Sequence, residues 1–435
     1  MSIIESTLNN FSFALILREV FSTFPHQYEY TKEGTIRRVE RPICPCCGKP
    51  MIKNGFNSYT KKGLGTVKIG KWRCRKCDVS LEEDRTFWED LKDEFFELLA
   101  HMTKILKDHK ISYEGISDIF ALIYPRSRET IRIQFKKSID EAEIPIDTDV
   151  FIIHYDEQHP KKGRCQKFRL TLLDAITKKP IADELYDDKS PETIEKFMAN
   201  HLDPDKPVII ITDLDRRYPG IFKRFFTNGY YHQSCVLHLN KRIVNDFPKK
   251  GTFQLEYLKY RLLNIFYDRT KELQYLKRLI LKEEKKKEKA GYKQWLKRAW
   301  RSFRNHIHKW ENRRRRRKEN LKMRPYNGSV QVFNKLVDEY DDFPDKVQKR
   351  LDMISKNWKN LMMFHNFKDA PATNNAIENY FSTSLKTHQK KQYTSDEGIE
   401  RQMKLSWMKR AGMLKYEGKT LLQIMIKFIP FRDPG

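Results

Sequence analysis

The run Val150-Phe151-Ile152-Ile153-His154-Tyr155-Asp156 and the later run Pro207-Val208-Ile209-Ile210-Ile211-Thr212-Asp213 decide the fold. Each begins as a short apolar segment and reads as a buried strand. Each aspartate stands at the C-terminal edge of its run, where open α/β sheets place their chemistry. Working outward, Lys167–Asp174 and Pro180–Tyr186 also read as strands. Residues 175–179 give them a hairpin-like connection. Pro191–Leu202 reads as a helix, with Ser190 as its cap and Pro191 in the first turn. A helix near Gly220–Phe226 and a short strand at Tyr230–His232 follow the second run.

Strand, hairpin, helix, strand, helix, strand suggests an α/β sheet of the ribonuclease-H kind over residues 146–240. Residues 241–370 carry almost no strand pattern and read as a large helical insertion. Residues 371–435 would complete the core and end in a basic tail. Within them, Thr373-Asn374-Asn375-Ala376-Ile377-Glu378-Asn379-Tyr380-Phe381 supplies a third acid, Glu378. If Glu378 folds back onto the sheet edge, Asp156, Asp213 and Glu378 can hold two divalent cations, and oxygen ligands favour Mg²⁺ or Mn²⁺. Taken singly, each acid has a plainer use. Asp156 suits a loop beside Glu157, Asp213 suits a helix cap, and Glu378 suits a capping box with Asn375. Clustered carboxylates repel unless cations neutralise them, so the joint reading favours metal.

The chain of 435 residues carries 85 Lys and Arg against 58 Asp and Glu, a formal charge of +27. That excess implies an anionic polymer as partner, and charge alone does not separate nucleic acid from membrane. No apolar stretch approaches the roughly 20 residues of a membrane span. The apolar patch from Phe11 to Leu17 lacks the flanks of a secretory signal. Four of the seven cysteines form two C-x-x-C pairs, which suits metal binding in a reducing compartment. The expectation is a cytoplasmic protein, nucleoid-associated if prokaryotic, that faces nucleic acid.

Cys44 and Cys47, then Cys74 and Cys77, are expected to form a zinc ribbon over residues 41–82, binding one structural Zn²⁺. Cys46 competes with Cys47 as ligand. Residues 1–40 read as a short helical leader on the spacing of Phe13, Ile16, Leu17 and Val20. Residues 83–145 read as a helical module. Two of its helices, near 113–123 and 128–139, outline a helix-turn-helix, with Ser127 capping the second. Arg128, Arg132 and Lys136 would then face DNA. A helical linker with a solvated basic face is an equal alternative. In the insertion, Arg313, Arg314 and Arg315 suit DNA backbone contact. Trp295, Trp300 and Trp310 suit stacking on an unpaired base or core packing.

Asp156 in His-Tyr-Asp-Glu-Gln, Asp213 in Thr-Asp-Leu-Asp and Glu378 in Asn-Asn-Ala-Ile-Glu-Asn-Tyr-Phe resemble the acidic triad of DDE transposases of insertion sequences. Cys235-Val236-Leu237-His238, followed by Asn240-Lys241-Arg242, resembles the C-x-x-H signature of the Mutator-like group. Asp213 is followed by Leu214-Asp215 where a Gly-containing turn is more usual, so Asp213 and Asp215 both stay open as the ligand. The resemblance implies cleavage at terminal inverted repeats and transfer of the freed 3′-hydroxyl to target DNA, by a dimer or larger assembly. A DNA-binding regulator with an inert nuclease-like domain, and a nuclease that cuts without joining, are the competing readings.

Overall fold

Two five-stranded sheets, each with its own helices, organise the chain. The computed structural model describes residues 28–31, 35–61, 65–83, 85–122, 126–146, 149–159, 167–248, 251–287, 289–317, 321–385, 393 and 395–418. The chain divides into one unit of Met1–Ile144 with Arg401–Gly435, and a second of Pro145–Glu400. No described helix is long and apolar enough to cross a membrane.

In the first unit, β1 (Tyr28–Tyr30), β2 (Thr35–Arg38), β3 (Ile52–Lys61), β4 (Gly65–Arg73) and β5 (Ser80–Glu82) form a sheet in the order β1-β2-β4-β3, with β5 also on β4. The antiparallel β3–β4 hairpin occupies the interval between the two cysteine pairs. Gly55, at φ 72°, sits where its register shifts, a backbone shape that strains side-chain-bearing residues. Three helices follow: α1 (Thr86–Asp108), α2 (Tyr113–Ala121) and α3 (Arg128–Asp140). Ser112 caps α2 and Ser127 caps α3, each accepting a backbone N–H in the first turn. One core joins sheet to helices: Ile36, Val67 and Ile69 pack with Phe95, Leu99, Ile116, Phe120 and Ile131.

The helical reading of residues 1–40 needs correction. Residues 28–30 and 35–38 are strands, because they pair with each other and residues 35–36 pair with β4, a stretch too short to stand out in sequence. Phe13, Ile16, Leu17 and Val20 lie outside the described residues.

In the second unit, β6 (Ile152–Gln158), β7 (Phe168–Asp174) and β8 (Pro180–Tyr186) form an antiparallel meander. After α4 (Pro191–His201) comes β9 (Val208–Thr212), and after α5 (Tyr218–Phe225) comes β10 (Tyr230–Ser234). The order is β10-β9-β6-β7-β8, with β9 parallel to β6 and β10 parallel to β9. Alternation along the strands divides the side chains between two faces. Ile153, Tyr155, Leu170, Leu172, Val208 and Ile210 pack on α4 and α5. Ile152, Ile209 and Ile211 pack on Ala370 from the opposite face.

The helices α6 (Val236–Asp246), α7 (Phe253–Leu263), α8 (Thr270–Glu284), α9 (Tyr292–Arg316), α10 (Tyr326–Val337), α11 (Asp345–Lys356) and α12 (Trp358–Leu361) fill residues 236–361. Two apolar clusters hold them. One centres on Leu239, Leu262, Phe266, Phe333 and Leu351, the other on Phe253, Tyr260, Leu276 and Phe303. Then α13 (Asn375–Ser384) returns to the sheet and packs Ile377, Tyr380 and Phe381 on Leu173.

A buried ion pair fixes that return. Arg169 of β7 makes a two-bond fork to Asp183 of β8 at 2.7 and 2.6 Å, with both side chains 1% exposed. Thr171 and Tyr380 also donate to Asp183, at 2.8 and 2.6 Å. The Arg169 guanidinium lies over the rings of Tyr380 and Phe381. Removing one partner of such a pair strands a buried charge. Arg169→Met should therefore destabilise the second unit by about 3–5 kcal/mol. Tyr380→Phe, which removes one hydroxyl, should cost about 1 kcal/mol. Denaturant unfolding checks both, and a cost for Arg169→Met no larger than that for Tyr380→Phe would contradict the assignment.

Candidate metal centres

Asp156 belongs to β6, not to the loop beyond it. The strand continues to Gln158 because β7 keeps pairing with it, Asp156 opposite Thr171. Pairing with β9 stops earlier, at His154 opposite Ile211. Carrying that register forward brings Asp156 level with Asp213, the residue directly after β9. Both continue the alternation of Ile152 and His154, and of Ile209 and Ile211, so both belong to the face that α13 covers.

The three acids act on one another electrically. Removal from water, and after it the charge of Asp213, lifts the Asp156 carboxyl to about 8. Glu157 and Glu378 add to the rise, while the Glu157 backbone N–H, bonded to Asp156 at 2.8 Å, opposes it. Asp215 is differently placed. Arg217 grips its carboxylate from two nitrogens at 2.7–3.1 Å, and that hydrogen bond is the main cause of its lowered pKa. Asp213 Oδ1 accepts the Asp215 backbone N–H at 2.9 Å, which shapes the turn.

Asn374 brings the glutamate to the sheet. It stands just before α13, fully buried, and its side chain makes no helix cap. Its amide instead spans to β6: Nδ2 donates to the Tyr155 carbonyl at 3.1 Å, and Oδ1 accepts from His154 Nδ1 at 2.7 Å. Burial holds His154 down at about 4, so the ring is neutral and its proton sits on Nδ1. The Asn374 backbone N–H donates to Cys235 Sγ at 3.1 Å.

Cys235 and His238 thus work from one helix start. Cys235, buried just before α6, receives the head of α13. His238 Nε2 lies 3.4 Å from Glu378 Oε1, and Lys241 Nζ lies 3.0 Å from the same oxygen. Glu378 therefore forms no capping box with Asn375. Burial and then the Lys241 charge lower His238. Arg242 donates to the Leu214 carbonyl at 3.1 Å, so α6 also steadies the turn after Asp213. Lys241, Asn374 and Arg242 carry no site role in the sequence reading. The asparagine pair ahead of Glu378 and the cation three residues after His238 were the available signals.

The four cysteines form a tighter group. Sγ atoms of Cys44, Cys47, Cys74 and Cys77 all lie within 4.8 Å of one another, so the four thiols can bind one zinc ion. Among the described residues, the three carboxylates do not close to that spacing. The two knuckles share a backbone plan. Gly48 N–H reaches the Cys44 carbonyl and Asp78 N–H the Cys74 carbonyl, both at 3.0 Å, with Gly48 and Asp78 at positive φ. The Cys77 backbone N–H is the main cause that lowers Cys74 to about 7, while Cys77 is pushed up to about 12, first by its hydrogen bond with Cys47. Cys46 is exposed and outside the group, which leaves Cys47 as the ligand.

The basic candidates have partners of their own. Arg128 lies 3.4 Å from Glu114, Arg132 pairs with Glu129, and Lys136 shares their helix α3, whose buried side is Ile131, Phe135 and Ile139. Arg313, Arg314 and Arg315 occupy the last turn of α9, where the helix dipole favours cations. Arg313 and Arg314 also line a polar groove of about 310 Å³ with Glu272. Trp295 and Trp300 pack in the α7–α9 core, and Trp310 lines that groove.

No protein-family model matches the chain. Over 236 residues it is 25% identical to an uncharacterized 48.3 kDa protein of insertion element ISM1 from Methanobrevibacter smithii. The alignment covers 49% of this chain and 55% of that relative, so the chain spans about half the length of the curated protein it matches.

Cys44→Ser and Cys74→Ser should each release zinc from the purified protein, and Cys46→Ser should keep it. Metal analysis by mass spectrometry decides this, and full zinc content in the first two variants would remove the site. A second outcome concerns Asp156. Its folded-state pKa of about 8 exceeds the ordinary 3.8, so without divalent cation the fold holds a proton that the unfolded chain releases. Stability should then fall as pH rises from about 4 to about 8, and Asp156→Asn should flatten that slope. Melting temperatures of chelated protein across this range test it. Parallel profiles for the two proteins would contradict the shift.

Proposed function

We propose that the chain is a metal-dependent DNA transposase of the DDE type, with Asp156, Asp213 and Glu378 as its metal-binding acids. The observation that carries the reading is the placement of Asp156 and Asp213 on the sheet face that α13 covers, with the charges of Asp213 and Glu378 both acting on Asp156. A strand order of three antiparallel and two parallel members supports assigning the sheet to the ribonuclease-H-like class. Likeness to an insertion-element protein supports a role in mobile DNA.

The residues present fit a hard divalent ion. Every donor is a carboxylate oxygen, and Asp156 bears a charge that its surroundings disfavour. A pair of Mg²⁺ or Mn²⁺ ions there would activate water or a 3′-hydroxyl and stabilise the leaving oxygen of a phosphodiester. Asp215 pairs with Arg217, which supports Asp213 as the second acid. His238 and Lys241 steer Glu378 from α6, and Lys241 places positive charge beside a phosphate path. The cysteine ribbon, α3 with Arg128, Arg132 and Lys136, and the α9 end with Arg313 to Arg315 would hold DNA through its backbone. Work on paired element ends calls for a dimer or larger assembly. The C-x-x-H arrangement supports placement in the Mutator-like group.

DNA carrying the inverted repeats that flank the gene is the substrate for the test. Asp156→Asn, Asp213→Asn and Glu378→Gln should each lower Mg²⁺-dependent cleavage by about a thousandfold or more while binding to the same DNA persists. Asp215→Asn should stay within about tenfold of the parent. Strand-transfer products distinguish joining from cutting alone. Near-normal cleavage in any of the first three variants would overturn that residue's role.

A further inference from the structure

A cavity of about 710 Å³ opens beside Glu378 and is used by nothing described so far. Its size falls within the roughly 300–1,000 Å³ of small-ligand sites. Leu237, Val244 and Leu263 give it apolar walls, and Tyr267 adds an aromatic ring. Polar groups enter from two directions. Asn240 and Asn245 come from α6, Arg269 comes from the segment before α8, and Lys241 forms the wall shared with the acid cluster. Two of these residues hold a buried polar atom with no hydrogen-bond partner: Asn240 Oδ1 and Arg269 Nε. Burying such atoms costs free energy unless a bound group completes them.

The geometry points to a subsite for one unpaired nucleotide of the DNA, adjacent to the phosphodiester at Asp156, Asp213 and Glu378. This inference rests on the transposase reading and names what that site holds next to the reacting phosphate. A base within a duplex shows only its edges in the grooves, whereas an unpaired base also exposes both faces. Its faces suit the leucines and Tyr267, and its hydrogen-bonding edge suits the asparagine amides. Its phosphate lies within the field of Lys241 and Arg269. Lys241 touches both places, so a nucleotide seated here and the strand at Glu378 belong to one path. The tryptophans of the insertion are less suited, since Trp295 and Trp300 are packed in a core.

The test uses the full chain in a chelating buffer, where no cleavage occurs. Two short duplexes are compared: one nicked, with a single unpaired 2-aminopurine beside the nick, and one fully paired. Wild-type protein should prefer the unpaired form by about tenfold and change its 2-aminopurine fluorescence on binding. Val244→Trp fills the cavity from a position that is 46% exposed, so it leaves the core alone. Asn240→Ala removes an oxygen that has no bond to lose. Both variants should lose the preference and the fluorescence change while binding the paired duplex as before. Asp156→Asn should keep both. Equal binding of the two duplexes by wild type, or a preference that survives both cavity variants, would overturn the subsite. Competition by deoxyadenosine monophosphate as strong as that by the unpaired duplex would assign the cavity to free nucleotide and would also overturn it. Catalysis plays no part in this measurement, so failure of the cleavage reading and failure of the subsite give separate signals.

Discussion

The second unit depends on the bond set of one buried amide. Asn374 has no contact with water, yet each end of its side chain is satisfied by β6, and its backbone N–H is satisfied by Cys235. A chain that leaves the sheet after β10 and runs through the helices from α6 to α12 must return in a fixed register. The amide provides that register, because a slip of one residue would bury its polar atoms unpaired. With Asn374 set, the first turn of α13 is set, and Glu378 comes within electrostatic reach of Asp156.

That arrangement holds like charges together, which is unfavourable until something positive intervenes. In the chain itself the compensation is visible. Lys241 and His238 reach Glu378, Arg217 takes up Asp215, and Asp156 is left with a strongly raised pKa. The buried Arg169–Asp183 pair answers the same problem differently, since its charges cancel within the protein and Tyr380 completes the set. One sheet thus carries both a closed charge network, which is structural, and an open one, in which the acids are not matched by cations of the protein.

Much of this was legible in the residues. Two apolar runs ending near aspartates located β6 and β9, and the C-x-x-C spacing located the thiol group with a hairpin between its halves. Ser127 marked the start of α3. The end of β6 was hidden, because Asp156, Glu157 and Gln158 are polar and only pairing with β7 keeps them extended. The strands at 28–30 and 35–38 were hidden for a related reason: they are short, and the pair is held by β4, which lies beyond the first cysteine pair. Lys241 and Asn374 were legible only as neighbours of motifs. Their roles depend on α6 meeting α13, a contact separated by more than a hundred residues that no local pattern encodes. The surroundings of the Cys46 and Asp215 alternatives were hidden too: Cys46 is exposed, and Asp215 has an arginine partner.

The most direct measurement of the central claim is a crystal structure of the protein soaked in Mn²⁺, with anomalous scattering used to locate the ions. The account predicts manganese among the oxygens of Asp156, Asp213 and Glu378, with the Glu378 carboxylate turned from Lys241 toward the ions. Manganese bound elsewhere, or none at these acids while Glu378 keeps its Lys241 contact, would contradict it.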